Sequence, residues 1–248
     1  MLVVVMIGQL NFEGKNKVET AIERIQFYAK ETYYVAISGG KDSDVLVKLF
    51  ELSGVNYELH HQHTTIDAPQ TVKYIKEHYP KVIIDYPKLS IWQLIAKNGT
   101  PPTRLMRYCC RELKEYGGEG RFKALGVRWS ESSKRKNNRK MIEVCYKNDT
   151  RTLNPIVDWS DKEIWEFHKQ YNLPHNELYD QGAKRVGCIG CPQKGRKAME
   201  LDFKIFPKYR DNYIRAFTKM LATRERKGLK TTWKTAEEVM EWWLKICE

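Results

Sequence analysis

Apolar positions along the first third of the chain switch between two periods. Val18, Ala21, Ile22, Ile25 and Tyr28 recur at helical spacing with Lys and Glu between them, which predicts an amphipathic helix over residues 17–30. The β-branched and aromatic run over 33–37 predicts a strand, and Ser38-Gly39-Gly40 follows it at once as a turn. From Asp42 the helical period returns with Val45, Leu46, Leu49 and Phe50, and Ser53-Gly54 supplies the stop. Residues 55–63, 82–86, 122–127 and 142–146 read as further strands, 71–78 as a helix ahead of Pro80, and Ser90 as the cap of a helix reaching 97.

This alternation predicts an α/β fold, a doubly wound and mostly parallel Rossmann-like sheet. Ligands of such sheets sit beyond the carboxyl ends of the strands, where the Ser38 turn falls. Ser160-Asp161-Lys162-Glu163 has the form of a capping box, with Ile164, Trp165 and Phe167 behind it. Beyond Pro174 the chain turns helical and basic. Tyr213, Ile214, Phe217 and Leu221 form one stripe, Val239, Trp242, Trp243 and Ile246 another, and the helical spacing of Tyr209, Tyr213 and Phe217 reads as core. The expected division is an N-terminal segment and helix over 1–30, an α/β domain over 31–192 and a helical C-terminal region over 193–248.

The 248 residues carry 43 Lys+Arg against 31 Asp+Glu, a formal charge of +12. A chain this long can bury a core without a disulfide framework. The charge excludes an acidic solvating chain, and ordinary globular composition excludes global disorder. The apolar opening, Met1 to Ile7, lacks a cationic flank and falls far short of the roughly 20 residues of a membrane span. A cytoplasmic chain without membrane contact is therefore expected, with Met6 as good a start as Met1.

Between the first strand and the second helix, Ser38-Gly39-Gly40-Lys41-Asp42-Ser43 combines two glycines, two hydroxyls and a lysine at a helix N-terminus. Unpaired amides and the helix dipole favour an anion there, and glycine lets it approach closely. Asp42 follows Lys41 where a Walker A loop requires Ser or Thr. The Asp42 carboxylate suits either a magnesium ion or a helix cap.

Of six cysteines, Cys109-Cys110 form a tandem pair and Cys188-Ile189-Gly190-Cys191 a Cys-x-x-Cys pair. Two thiolate pairs suit zinc or an iron-sulfur cluster. Adjacent cysteines chelate one small ion only under strain, whereas a cluster offers them separate irons; redox-active or unliganded thiols are the third option. Cys145, in an apolar strand, reads as buried packing.

The Ser-Gly-Gly-x-Asp-Ser stretch resembles the pyrophosphate loop of the PP-loop, or adenine nucleotide alpha-hydrolase, superfamily. The cysteine pattern resembles that of assimilatory adenylylsulfate reductases. Gly126-Val127-Arg128-Trp129-Ser130-Glu131-Ser132, Asn154-Pro155-Ile156-Val157-Asp158-Trp159 and Leu173-Pro174-His175-Asn176-Glu177-Leu178-Tyr179 resemble three segments of the phosphoadenylylsulfate (PAPS) reductase family, in family order. The resemblance implies an adenine nucleotide (ATP, APS or PAPS) held by Ser38, Gly39, Gly40, Lys41, Asp42 and Ser43. It also implies that Arg128 faces its phosphate or sulfate, and that a 4Fe-4S cluster sits on Cys109, Cys110, Cys188 and Cys191. Lys41, Asp42 and Arg128 are then the candidate catalytic residues.

One departure matters. The reductases carry a C-terminal Glu-Cys-Gly-x-His segment whose cysteine attacks sulfur, whereas this sequence reads Lys245-Ile246-Cys247-Glu248. Cys247 is either a rebuilt nucleophile or an ordinary thiol at a frayed end, without an obvious partner to lower its pKa. The absence tips the reading toward ATP-pyrophosphatase-type activation. The alternatives are an APS/PAPS reductase that releases sulfite with a thioredoxin-like or other thiol donor, and a non-enzymatic nucleotide-binding iron-sulfur subunit of a DNA or tRNA modification complex. Basic clusters at 134–140, 184–185 and 194–197 suit either an anionic nucleotide or a nucleic-acid backbone. His60, His61 and His63 read as polar rim residues at a strand end, with metal ligation by His61 and His63 as the alternative.

Overall fold

The computed structural model describes residues 14–146 and 149–247. The apolar opening, both candidate starts and Glu248 lie outside them. In chain order the helices and strands are α1 (Lys17–Phe27), β1 (Tyr33–Ala36), α2 (Lys41–Ser53), β2 (Tyr57–Gln62), α3 (Pro69–His78), β3 (Ile83–Asp85), α4 (Ile91–Asn98), α5 (Tyr108–Leu113), β4 (Phe122–Ala124), α6 (Ser133–Asn138), β5 (Ile142–Cys145), β6 (Thr150–Leu153), α7 (Asp161–Gln170), α8 (Arg196–Ile205), α9 (Pro207–Arg226) and α10 (Ala236–Lys245). Local signals fix many boundaries. Asn16 and Ser160 close capping boxes with Glu19 and Glu163, and Gly54 and Gly99 end their helices in the left-handed conformation.

The chain divides into two compact units. One comprises residues 14–61, 69–85 and 118–186 of the described chain, the other 62–68, 86–117 and 187–247. These units are discontinuous, unlike the linear segments 1–30, 31–192 and 193–248: α1 groups with the sheet, and both cysteine pairs group with the C-terminal helices.

The first unit is the expected α/β sheet, in the order β3-β2-β1-β4-β6-β5. β1 runs parallel to β2 and β4, and β4 parallel to β6; only β5 is seen to run antiparallel, against β6. The order reverses between β1 and β4, so the segments after these two strands flank the switch point. As the central strand, β1 buries Tyr33, Tyr34 and Val35 in succession. α2 packs Val45, Leu46, Leu49 and Phe50 into the same core as Phe122, Leu153, Ile156 and Trp159.

β6 escapes the sequence reading because Thr150-Arg151-Thr152-Leu153 lacks an apolar run, although Thr150 and Leu153 are buried. Cys145 corrects an expectation: it is exposed. It lies on the outermost strand, which presents Val144 to solvent as well. His60 and His61 are also buried rather than rim residues. His60 stacks on Tyr34 and its Nδ1 lies 3.0 Å from Asp85.

The second unit gathers α4, α5, α8, α9 and α10. Trp243 is its buried hub, with Tyr213, Phe217 and Phe203 ring centroids 4.8, 5.5 and 6.3 Å away. Tyr213 and Phe217 are core, as their spacing implies. No helix among the described residues is long and apolar enough to cross a membrane.

Candidate functional site

The turn between β1 and α2 is built around two glycines. Gly39 has φ +68°, and a Cβ there would lie 2.9 Å from Thr71 Cγ2 and 3.0 Å from Ile75 Cγ1. Both backbone and space therefore demand glycine. Gly40 caps α2, and Ser43 Oγ accepts from its N–H at 3.2 Å and donates to its carbonyl at 2.7 Å. The Lys41 N–H donates to the Tyr179 hydroxyl at 3.1 Å. The amides of Ser38, Gly39 and Asp42 donate to no acceptor among the described residues. They are the donors a helix N-terminus leaves for an anion.

The segment over 173–179 braces this turn. Asn176, fully buried, donates to the Gly39 carbonyl at 3.3 Å and to Thr71 Oγ1 at 3.2 Å. His168 Nε2 donates to the Lys41 carbonyl at 2.9 Å, and burial holds the imidazole below its usual pKa, so it serves as the neutral ring. Gly126, after β4, lets that strand end approach, since a Cβ would lie 3.0 Å from the Asp42 carbonyl oxygen.

Arg128 is 1 % exposed. Its Nε donates to Asp42 Oδ1 and its Nη2 to Asp161 Oδ1, both at 2.7 Å, while Nη1 donates to Ser130 Oγ and the Trp159 carbonyl. A solvated surface arginine is thereby excluded. In this structure the guanidinium clamps two carboxylates, and Asp42 serves as its acceptor. Lys41, also buried, has Nζ 3.3 Å from Asp161 and 3.7 Å from Asp42. Two cations and two carboxylates thus form one compensated group at the head of α2. Burial works against ionisation of Asp161, but Arg128 and Lys41 hold it below the usual carboxylate range. Asp161, Asn176 and Tyr179 escape a reading based on motifs because only the fold brings them to the loop.

The basic runs at 134–140 and 184–185 converge. Burial, then Arg185 and Arg139, push Arg135 down to about 10, so the group feels both neighbours. An anion near this rim would relieve that repulsion.

Behind the loop, Asp44 is 2 % exposed, takes a 2.6 Å hydrogen bond from the Tyr79 hydroxyl and leaves Oδ2 buried without a partner. Burial raises its pKa to about 7. The folded state thus holds this proton more tightly than the unfolded chain, whose carboxyl titrates near pH 4. Its contribution to stability is full below about pH 4 and is lost as the pH rises toward 7. Urea unfolding of the wild type is expected to lose a few kcal/mol from this group between pH 4.5 and 8. Asp44→Asn keeps an acceptor for Tyr79 and should flatten that slope; an unchanged slope in the variant would refute the assignment.

In the second unit, α5 carries Cys109 and Cys110, and a tight loop carries Cys188 and Cys191. The loop turns at Gly190, whose φ is +67° and whose Cβ would lie 2.7 Å from Phe203 Cζ. It is braced by bonds from Gly190 N–H to Asp202 at 2.8 Å and from the Tyr213 hydroxyl to the Ile189 carbonyl at 3.1 Å. All four cysteines line one cavity with Ile66, Leu113 and Lys114. A hydrogen bond from Cys109, helped by Arg107 and Lys114, lowers Cys110 to about 6, while burial and then Cys188 raise Cys191. Cys188, then Asp67 and Cys191, hold Lys114 above the ordinary lysine range.

Cys145 and Cys247 are not on this lining. Cys247 is fully buried rather than frayed, its carbonyl accepts from the Arg196 N–H at 3.0 Å, and burial raises its thiol.

Comparison with known proteins follows the same residues. The phosphoadenosine phosphosulfate reductase domain matches residues 32–194. An uncharacterized protein of Methanocaldococcus jannaschii is 28% identical over 192 residues, 72% of this chain and 40% of that protein. An adenosine 5'-phosphosulfate reductase of Staphylococcus haemolyticus is 27% identical over 177 residues, 62% of this chain and 68% of that enzyme. The chain thus spans well under half of the M. jannaschii protein. A crystal structure of phosphoadenylyl-sulfate reductase from Candida auris, a phosphate complex, superposes with a TM-score of 0.53 at 19% identity, covering 73% of this chain and 97% of that one. This likeness concerns the fold. With the switch-point loop, its bracing segments and the match across both cysteine pairs, the chain belongs to the phosphoadenosine phosphosulfate reductase domain family.

Proposed function

We propose that this chain is an enzyme that binds an adenine nucleotide through Ser38–Ser43 and transfers its adenylyl group with loss of pyrophosphate. The observation that carries the reading is the set of unpaired amides at Ser38, Gly39 and Asp42, at the switch point and under a cationic rim. A nucleophilic oxygen attacks the α-phosphorus, the bond to the bridging oxygen breaks, and pyrophosphate carries away the electron pair. The loop amides, Lys41 and the rim arginines neutralise that charge. The clamp leaves Asp42 Oδ2 with only Lys41 at 3.7 Å, so a Mg²⁺ ion would find one carboxylate oxygen here, a hard ligand suited to it.

The donor set of the second unit fits a 4Fe-4S cluster on Cys109, Cys110, Cys188 and Cys191. Four thiolates also meet the donor set of a tetrahedral zinc, so iron and sulfide content is the measurement that decides between them. Arg107 and Lys114 supply positive charge for an anionic cluster. When bound, the cluster would supply redox or structural chemistry.

A second reading, thiol-dependent reduction of APS or PAPS to sulfite, is favoured by the names of several relatives. Against it stands Cys247, whose buried thiol with a raised pKa is a poor nucleophile. Anaerobically purified protein is expected to form AMP and pyrophosphate from ATP and Mg²⁺ with water as acceptor. Sulfite release from APS or PAPS with a thiol donor, without ATP turnover, would establish the second reading. Tight ATP binding with neither reaction would make the chain a non-catalytic nucleotide-binding subunit.

A further inference from the structure

Residues 204–234 hold ten Lys and Arg against two acidic residues, most of the chain's excess positive charge. The structure arranges a subset of them. Lys208, Arg215, Lys219 and Arg226 lie on α9 at offsets of 0, 7, 11 and 18, within an arc of roughly 40° at 100° per residue. All four are exposed, and none has a carboxylate partner among the described residues. Asn212 and Thr223 fill the intervening positions and bond Arg215 and Arg226. The row is about 27 Å long at 1.5 Å per residue. Its backing is rigid, because the other side of the helix buries Tyr213, Ala216, Phe217 and Met220.

A separate cleft lined by Arg224, Lys230, Thr231, Thr232 and Trp233 lies on another side of α9, since Arg224 is 16 positions after Lys208 and about 160° around the helix from the row. The half-buried Trp233 indole lies 5.7 Å from the Arg224 guanidinium carbon. Arg224 is fixed by bonds to the carbonyls of Gly99 and Lys230.

We infer that this row forms a binding track for the phosphate backbone of a nucleic acid, with the cleft outside it. A straight line of cations without carboxylate partners on a rigid helix suits a polymer of evenly spaced anions. A membrane surface is a poorer match, because the apolar face of α9 is already spent in the core and cannot enter lipid. The inference lies wholly in the second unit and does not depend on the adenylyl-transfer reading.

The test is fluorescence anisotropy of the full chain with a labelled 20-base-pair DNA duplex and with 20-nucleotide DNA and RNA single strands, between 50 and 200 mM NaCl. Four phosphate contacts predict a log–log salt slope of about −3.6 on duplex, hence roughly 100-fold weakening over this range. The combined variant Lys208→Gln, Arg215→Gln, Lys219→Gln, Arg226→Gln should lose most of that slope and at least tenfold in affinity at 100 mM. Lys30→Gln, Lys73→Gln, Lys81→Gln, Lys169→Gln, with the same charge removed from the first unit, should bind as wild type. Equal losses in the two quadruple variants, or retention of the wild type on phosphatidylserine vesicles but on no nucleic acid, would overturn the inference.

Discussion

Arg128→Met is expected to lower the stability of the sheet unit by about 3 kcal/mol and to abolish nucleotide binding at the loop. The physical reason is the asymmetry of a buried pair. The wild-type guanidinium, 1 % exposed, satisfies Asp42, Asp161, Ser130 and the Trp159 carbonyl together. Removing it leaves Asp42 charged and largely buried at the head of α2, with Lys41 at 3.7 Å as its one remaining ion-pair contact among the described residues. Asp161, whose side chain is 70% exposed, can turn to water, so the cost falls mainly on Asp42. Arg128→Lys keeps the charge but not the planar fork and should recover only part of the loss. Adding Asp42→Asn to Arg128→Met should recover stability without recovering binding, a coupling that a double-mutant cycle measures. A thermal midpoint within 1 °C of wild type for Arg128→Met would contradict the clamp, because this loss corresponds to a shift of roughly 6–12 °C.

The second large effect concerns the cysteines. Anaerobically isolated wild type is expected to carry about four irons and four sulfides per chain, with a broad visible absorption. Cys110→Ser and Cys188→Ser should each remove it almost completely, since each takes one of the four thiols lining the cavity. Cys145→Ser and Cys247→Ser should leave iron and sulfide unchanged: Cys145 is exposed on the outer strand, and Cys247 is outside the lining. Zinc without sulfide in the wild type, or full iron content in Cys188→Ser, would defeat the cluster assignment.

The sequence by itself determined the elements whose signals are local. Asn16 and Ser160 cap their helices because their side chains reach amides two or three residues ahead. Gly39 is legible because a positive φ and a glycine coincide. The same holds for the α/β alternation and the pairing pattern of the cysteines.

Other features depend on pairings that no local pattern encodes. β6 is a strand because β4 and β5 flank it, its own residues being too polar to announce it. Cys145 is exposed because β5 is the outermost strand, a consequence of sheet order that its apolar neighbours conceal.

The loop's surroundings belong to the same class. Arg128 lies 86 positions from Asp42 in the chain, and Asn176 lies 137 from Gly39, yet each pair is hydrogen-bonded. Spacing along a chain encodes neighbours within a turn of helix or a pleat of strand. Contacts across such distances follow from which faces the core buries together, and these are decided only when the sheet closes over α2.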